Sequence, residues 1–425
     1  IWIIATNFTL DAGGWLNAKG CGYTNRTGPG AYTNLPGIGA GAGHGGRGAN
    51  ACLGILQIGG GTYGSASTPE TPGSGGGGVQ GGNGGGVIRI DAAVATINGR
   101  VSADGNNFKS TDYGGGGSGG SILLNVGTFG GSPTGLLTAT GGNGRFGASG
   151  LSGGGGGGRI AVNYSSIAPA TGVRLSAGAG IGYSIYSAEI GTLYFPDAAY
   201  LSETLSQILN GRIIIPDFAS WSVPNLTLTN GEVAIGDGES FTLNVATNLV
   251  VGGGAGSTAG LLLGKYGSGA VTPTVSVGSN VILNGGKIGL GGPTWIYMAG
   301  GPTGQGALSL MSVGGGLSLT NGGGLWMYSG ATNANLDYGA LMTVTGSMTM
   351  ASGSWIYPYS NPTNGGSALF RLGDLLIMTY AGFNADSTGN TTSNAFIKKG
   401  YQYETGPGRG FGGAYGPGAG FGGQG

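Results

Sequence analysis

Short runs in which apolar and polar residues alternate recur along the whole chain, each introduced by glycines. In the first half they read Gly-Val-Ile88-Arg-Ile-Asp, Gly-Ser-Ile122-Leu-Leu-Asn, Gly-Arg-Ile160-Ala-Val-Asn and Gly-Thr-Leu193-Tyr-Phe-Pro, in steps of 34, 38 and 33 along the numbering. Second strands follow, at Gly99-Arg-Val-Ser, Gly135-Leu-Leu-Thr and Gly172-Val-Arg-Leu, each closed by another glycine turn. In the second half Val245, Val277, Val313, Val344 and Leu372 head similar units at steps of 32, 36, 31 and 28. Period-two alternation, as in Leu317-Ser-Leu and Met348-Thr-Met, places one set of side chains on the buried face of a strand. A period near 30 with two or three short strands predicts coils that stack. The expected fold is all-β: a parallel β-solenoid (β-helix) with long glycine-rich loops and coils of about 28–38 residues. Antiparallel sandwiches built from hairpins are the competing expectation.

Three sections follow from these periods: residues 1–200, rich in glycine loops; residues 201–380, more regular; and residues 381–425, which resemble 1–48. Leu201 to Ile208 reads as a short helical turn between the first two. The tail echoes the head: Thr405-Gly-Pro-Gly matches Thr27-Gly-Pro-Gly, 416–425 matches 39–48, and Phe383 after Leu375–Met378 echoes Phe8 after Ile1–Ile4. A unit of about 377 residues is expected to begin again there, making the chain a window on a longer array.

Composition sharpens this picture. Glycine supplies 105 of 425 residues and charged residues only 8%, against averages of about 7% and about 25%. Each glycine inside a regular element costs roughly 0.5–1 kcal/mol relative to alanine, so ordered glycine runs need repetitive hydrogen bonding and close backbone packing to offset them. Glycine does not recur at every third position, which excludes collagen. Sixteen basic residues balance sixteen acidic ones, which argues against nucleic acid or an anionic membrane as partner. No run of ~18 apolar residues is present to span a membrane, and Ile1-Trp2-Ile3-Ile4 has no basic segment of a signal peptide.

The succession Gly59–Ser67, Pro72–Gly78, Gly-Val-Ile-Arg-Ile, Gly-Arg-Val-Ser-Ala-Asp-Gly and Gly-Gly-Ser-Ile-Leu-Leu resembles the glycine-rich parallel β-helix regions of giant secreted or cell-surface bacterial proteins, adhesin- or autotransporter-like in type. The resemblance covers residues 39–195. It implies export, a surface location and a structural or adhesive role.

Candidate chemistry is sparse. His44 is the only histidine and cannot by itself assemble a zinc site or a triad; its counterpart in the tail is Phe421. Asp104, Asp237 and Glu239 are scattered, whereas a glycosidase needs two carboxylates about 5–10 Å apart. No glycine run leads into Lys-Ser/Thr, so no phosphate loop is expected. No catalytic residue, cofactor or metal ligand is assigned, and the chain is expected not to be an enzyme. Cys21 and Cys52 differ by 31 in position; if that is one coil, their Cα atoms fall within disulfide range, and otherwise they are two free thiols. Trp295, Trp326 and Trp355, with Tyr297, Tyr328 and Tyr357, are expected to form an aromatic ladder, packed in or between subunits or open to glycans. Thr343-Val-Thr345 resembles an ice-binding pattern but does not recur on each coil. The expected partner is a second copy of the protein, with glycans as the alternative.

Overall fold

The computed structural model describes residues 1–31, 39–53, 55–109, 114–147, 150–182, 187–236, 240–264, 272–290, 308–330, 338–360 and 367–385. Its regular secondary structure is nearly all strand. Among the described residues the one helical element is a turn of 3-10 helix, Ala198–Tyr200, capped by the Asp197 carboxylate on the Ala199 N–H. The helical turn expected at Leu201–Ile208 therefore lies earlier, and Ile208 opens a strand instead. The sheets are open, not closed into a barrel. The chain divides into two compact units, Ile1–Asp217 with Gly231–Val233, and Phe218–Asn230 with Ala234–Gly425.

In the first unit one file of parallel strands runs Trp2–Leu10, Val87–Ile97, Ser121–Gly130, Arg159–Ile167, Thr192–Tyr194 and Ile208–Ile214. Ile88, Ile122, Ile160 and Leu193 stand opposite one another, as the glycine-to-strand motif predicts. A second file joins Trp15–Asn17, Arg100–Ser102, Leu136–Thr138 and Arg174–Ser176. Its register puts Val173 level with Gly135 and moves Gly172 one residue out of line, because Arg174 pairs with Leu136.

The expected coil length fails at several places. Trp2 pairs with Arg89, so the first coil is far longer than any period in the sequence; Thr192 pairs with Arg212, a step of only 20. Coil length reflects how much chain leaves the strands for the glycine region. The described residues between Ala18 and Gly86 lie in that excursion, apart from the short strands Ala51–Leu53 and Ile55–Gln57, and pairing in this file resumes at Val87.

The glycine region has its own order. Successive N–H groups from Gly115 to Gly120 donate in rotation to three neighbours: Gly77 and Ser74, Gly153 and Gly156, Asn106 and Ala103. The carbonyls of the same segment accept from Gly82 and Gly85, from Ala42 and the His44 ring, and from Gly142. A three-residue rotation of bonding direction with no internal hydrogen bond is the property of an extended threefold, polyproline II-type helix. Segment 115–120 has this character and is bonded to neighbouring backbone on three sides. The run Gly153–Gly158 follows the same rule, donating to Gly39 and Ala42, to Gly142 and Ala139, and to Glu189. A Cβ on any of these six would land on a neighbouring backbone.

In the second unit one parallel file runs Ser220–Val223, Thr242–Val245, Thr274–Val277, Ser309–Val313, Ala340–Met350 and Ala368–Ile377. Val245, Val277, Val313, Val344 and Leu372 are directly opposite one another, the register read from the repeats. Leu243, Val275, Met311 and Met342 fill the next inward row and are buried. Another file contains Gly260–Leu263, Lys287–Leu290, Gly324–Tyr328, Trp355–Tyr359 and Gly382–Phe383.

These files set aside the hairpin alternative for the regions they cover. Antiparallel pairing among the described residues is confined to a four-stranded sheet of two- and three-residue strands: Ala51–Leu53, Ile55–Gln57, Phe146–Gly147 and Gly150–Leu151.

Candidate functional site

Inward-facing apolar rows leave outward rows free for function, and the aromatic residues lie on such a row. Leu325, Met327 and Ile356 point inward and are buried, so Trp326, Tyr328, Tyr357 and Tyr359 face out. The ladder forms, but in a shifted register. Trp326 stands opposite Tyr357 and Tyr328 opposite Tyr359, while Trp355 stands opposite Gly324. The expected Trp326–Trp355 rung is corrected because the coil here advances by 31, as Val313–Val344 and Leu317–Met348 also show, whereas the two tryptophans differ by 29. Trp295 and Tyr297 lie outside the described residues.

Geometry decides what this ladder can do. Trp326 and Tyr357 have ring centroids 4.8 Å apart and planes 13° apart; for Tyr328 and Tyr359 the values are 4.6 Å and 15°. The ring faces are turned on one another, and Lys287 lies 5.8 Å from the Trp326 ring. A sugar stacks on a ring face, and the facing surfaces within each pair are already covered. Burial, with Tyr359 alongside, pushes the Tyr328 phenol above its ordinary range, so its hydroxyl stays neutral.

His44 is wholly buried in the glycine region. Its Nδ1 lies 2.9 Å from the Gly119 carbonyl, which can only accept, so Nδ1 carries the proton and Nε2 accepts from the Thr71 hydroxyl at 3.1 Å. Burial, then the Arg159 guanidinium, lowers its pKa to about 3. Arg159 donates to the Tyr63, His44 and Thr192 oxygens. This is a packed, neutral imidazole flanked by Tyr63 at 4.7 Å.

Asp104 is also enclosed. Burial alone would raise its pKa, but hydrogen bonds from the Thr140 N–H, Thr138, Ser102 and the Thr140 hydroxyl outweigh that and hold it below the usual carboxylate range. Arg100 adds an ion pair at 2.9 Å. Asp237 and Glu239 lie outside the described residues. Among the described residues no group of three His, Cys, Asp or Glu side chains could hold a metal ion.

The cysteines are not coil equivalents. Cys21 is free and exposed, with its thiol directed at the Lys19 carbonyl. The Cys52 backbone pairs with Leu56 and Leu151 in the small antiparallel sheet. Both cysteines lie inside the first coil, which closes only where Trp2 meets Arg89, so the expected staple is absent.

Two features escaped the sequence reading. Asp91, Asn125 and Asn163 form a column joined by amide hydrogen bonds of 2.7 and 2.9 Å; its signal was the shared last position of the three Ile-headed motifs. Trp2 and Trp15 each lie under the arginine opposite them, Arg89 at 4.6 Å and Arg100 at 5.8 Å. A shallow groove of about 630 Å³ crosses the second unit, lined in part by Ser222, Asn244, Ser276 and Ser312, and no ionisable side chain lines it.

No protein-family model, no curated protein and no solved structure matches this chain. No helix among the described residues is long and apolar enough to cross a membrane.

Proposed function

We propose that the chain is a parallel β-solenoid acting as a non-enzymatic structural repeat of an extracellular bacterial fibre, assembled by stacking strand on strand. The observation that carries this reading is a pair of unfinished edges. In the first unit Trp2–Leu10 has, among the described residues, a partner strand on one side only, and Trp2 and Ile4 are 64% and 75% exposed. In the second unit Ala368–Ile377 is the last strand of its file among the described residues, and Leu375, Leu376, Ile377 and Met378 are exposed. Open parallel edges bearing apolar side chains are templates for further pairing, and pairing that repeats without closing yields filaments.

Electron microscopy of the purified chain tests this. Filaments are expected, and Leu376→Lys together with Ile4→Lys should shorten or abolish them while circular dichroism stays unchanged. A chain that remains monomeric at high concentration sinks the proposal.

The second reading is a surface adhesin that binds glycans, favoured by the outward placement of the aromatic ladder. The stacked rings support the structural role instead: Trp326→Ala is expected to lower stability and leave binding to a glycan array unchanged.

A further inference from the structure

The last described coil is built unlike the coils it follows. In Ala340–Met350 the inward residues are Met342, Val344, Met348 and Met350, with a four-residue step in the middle; Met311, Val313, Leu317 and Leu319 repeat it. In Ala368–Ile377 the row continues through Phe370, Leu372, Leu375 and Ile377, a three-residue step, because one residue is dropped where Val344 pairs with Leu372 but Ser347 pairs with Asp374. The same 2-3-2 step occurs in the first unit, where Ile3, Ala5, Phe8 and Leu10 pair with the row Ile90, Ala92, Ala95 and Ile97.

The likeness extends past the strand at the constant offset that carries Ile3 to Phe370 and Leu10 to Ile377. Gly14 N–H donates to the Asp11 carbonyl, and Ala381 N–H to that of Met378. Gly13 and Tyr380, the matching turn positions, both have positive φ, 84° and 59°. Trp15-Leu-Asn-Ala18 then corresponds to Gly382-Phe-Asn-Ala385. Phe383 thus matches Leu16, not Phe8 as the sequence echo suggests, since Leu375–Ile377 and Phe383 lie in separate strands. The remainder of the echo, 386–425, lies outside the described residues.

Resting on the fibre reading, we infer that 368–385 reproduces the first coil and that its open edge receives the first coil of a second copy of this chain, in a defined register. Phe370 then stands over Ile3, Leu372 over Ala5, Leu375 over Phe8 and Ile377 over Leu10. All eight positions face inward, so the apolar rows run on unbroken. Gly382 then stands over Trp15, the same glycine-to-tryptophan pairing that Gly324 makes with Trp355. Strand direction and length agree, with nine residues in Trp2–Leu10 and ten in Ala368–Ile377.

Cross-linking tests the register. Stacked parallel residues are about 4.8 Å apart, inside the Cα range for a disulfide. Thr9 and Leu376 both face outward and fall in one column under this register. With Cys21 and Cys52 replaced by serine, the Thr9→Cys, Leu376→Cys chain should oxidise to a ladder of dimers and longer species that reductant collapses. Thr9→Cys with Arg371→Cys, five residues out of register, should not. Filaments with no ladder, or equal ladders from both pairs, overturn the register and leave the fibre reading standing. The absence of both filaments and ladder overturns the two together.

Discussion

Gly116 shows what the glycine runs are for. A Cβ there would fall on the Gly142 carbonyl oxygen, with the Gly155 backbone close behind. Neighbouring backbones crowd a threefold helix inside the bundle, so a glycine such as Gly116 cannot gain a side chain without displacing a carbonyl. Where a neighbour offers a polar match, a small side chain is admitted: the Ser118 hydroxyl bonds the Ser74 backbone. Gly61, which has open space where its Cβ would stand, provides the contrast. Gly116→Ala is expected to destabilise by about 2–4 kcal/mol or to prevent folding, and Gly61→Ala to change stability by less than about 0.5 kcal/mol; urea unfolding of the two variants checks this.

His44 gives the same region a pH dependence. Its pKa is about 3 folded and 6.5 when exposed, so the unfolded chain binds the proton first as pH falls. The imidazole's contribution is complete above about pH 6.5 and is lost progressively down to about pH 3, at roughly 1.4 kcal/mol per unit, on the order of 4–5 kcal/mol in all. His44→Gln should flatten the fall in unfolding free energy between pH 6.5 and 4. An unchanged slope would show that the ring is not buried as a neutral base.

At the scale of elements, strand register was legible because the inward rows keep period two and a valine or leucine recurs at the same inward position of successive coils. Val277, Val313 and Val344 could be aligned without any structure. The ladder register was not legible, since aromatic identity alone places Trp326 beside Trp355, while the strands before them impose a step of 31. The glycine bundle was legible only as a requirement for close packing. Which segments meet depends on hydrogen bonds between residues such as Gly45 and Gly157, far apart in sequence and identical in type. Turn amides fix the coil ends in register: the Asn280 side chain accepts from Gly316 N–H at 3.0 Å and donates to the Asn248 side chain at 3.3 Å. Asn280→Ala should therefore cost about 1 kcal/mol, measured by thermal unfolding, whereas the neighbouring outward substitution Ser318→Ala should be nearly silent.

Across the whole molecule the account depends on parallel strands lying one over another, each coil supplying the template for the next. That arrangement explains at once why each unit has its own apolar rows, why charge is scarce, and why the end strands keep exposed leucine, isoleucine and tryptophan. Solid-state NMR on chain labelled at valine tests it most directly, through magnetisation transfer between the α-carbons of residues one coil apart. Cross-peaks joining Val277 to Val313 and Val313 to Val344, at separations near ~4.8 Å, are the predicted result. Their absence, with Val313 correlated instead with residues of an adjoining hairpin, would contradict the stacked parallel architecture.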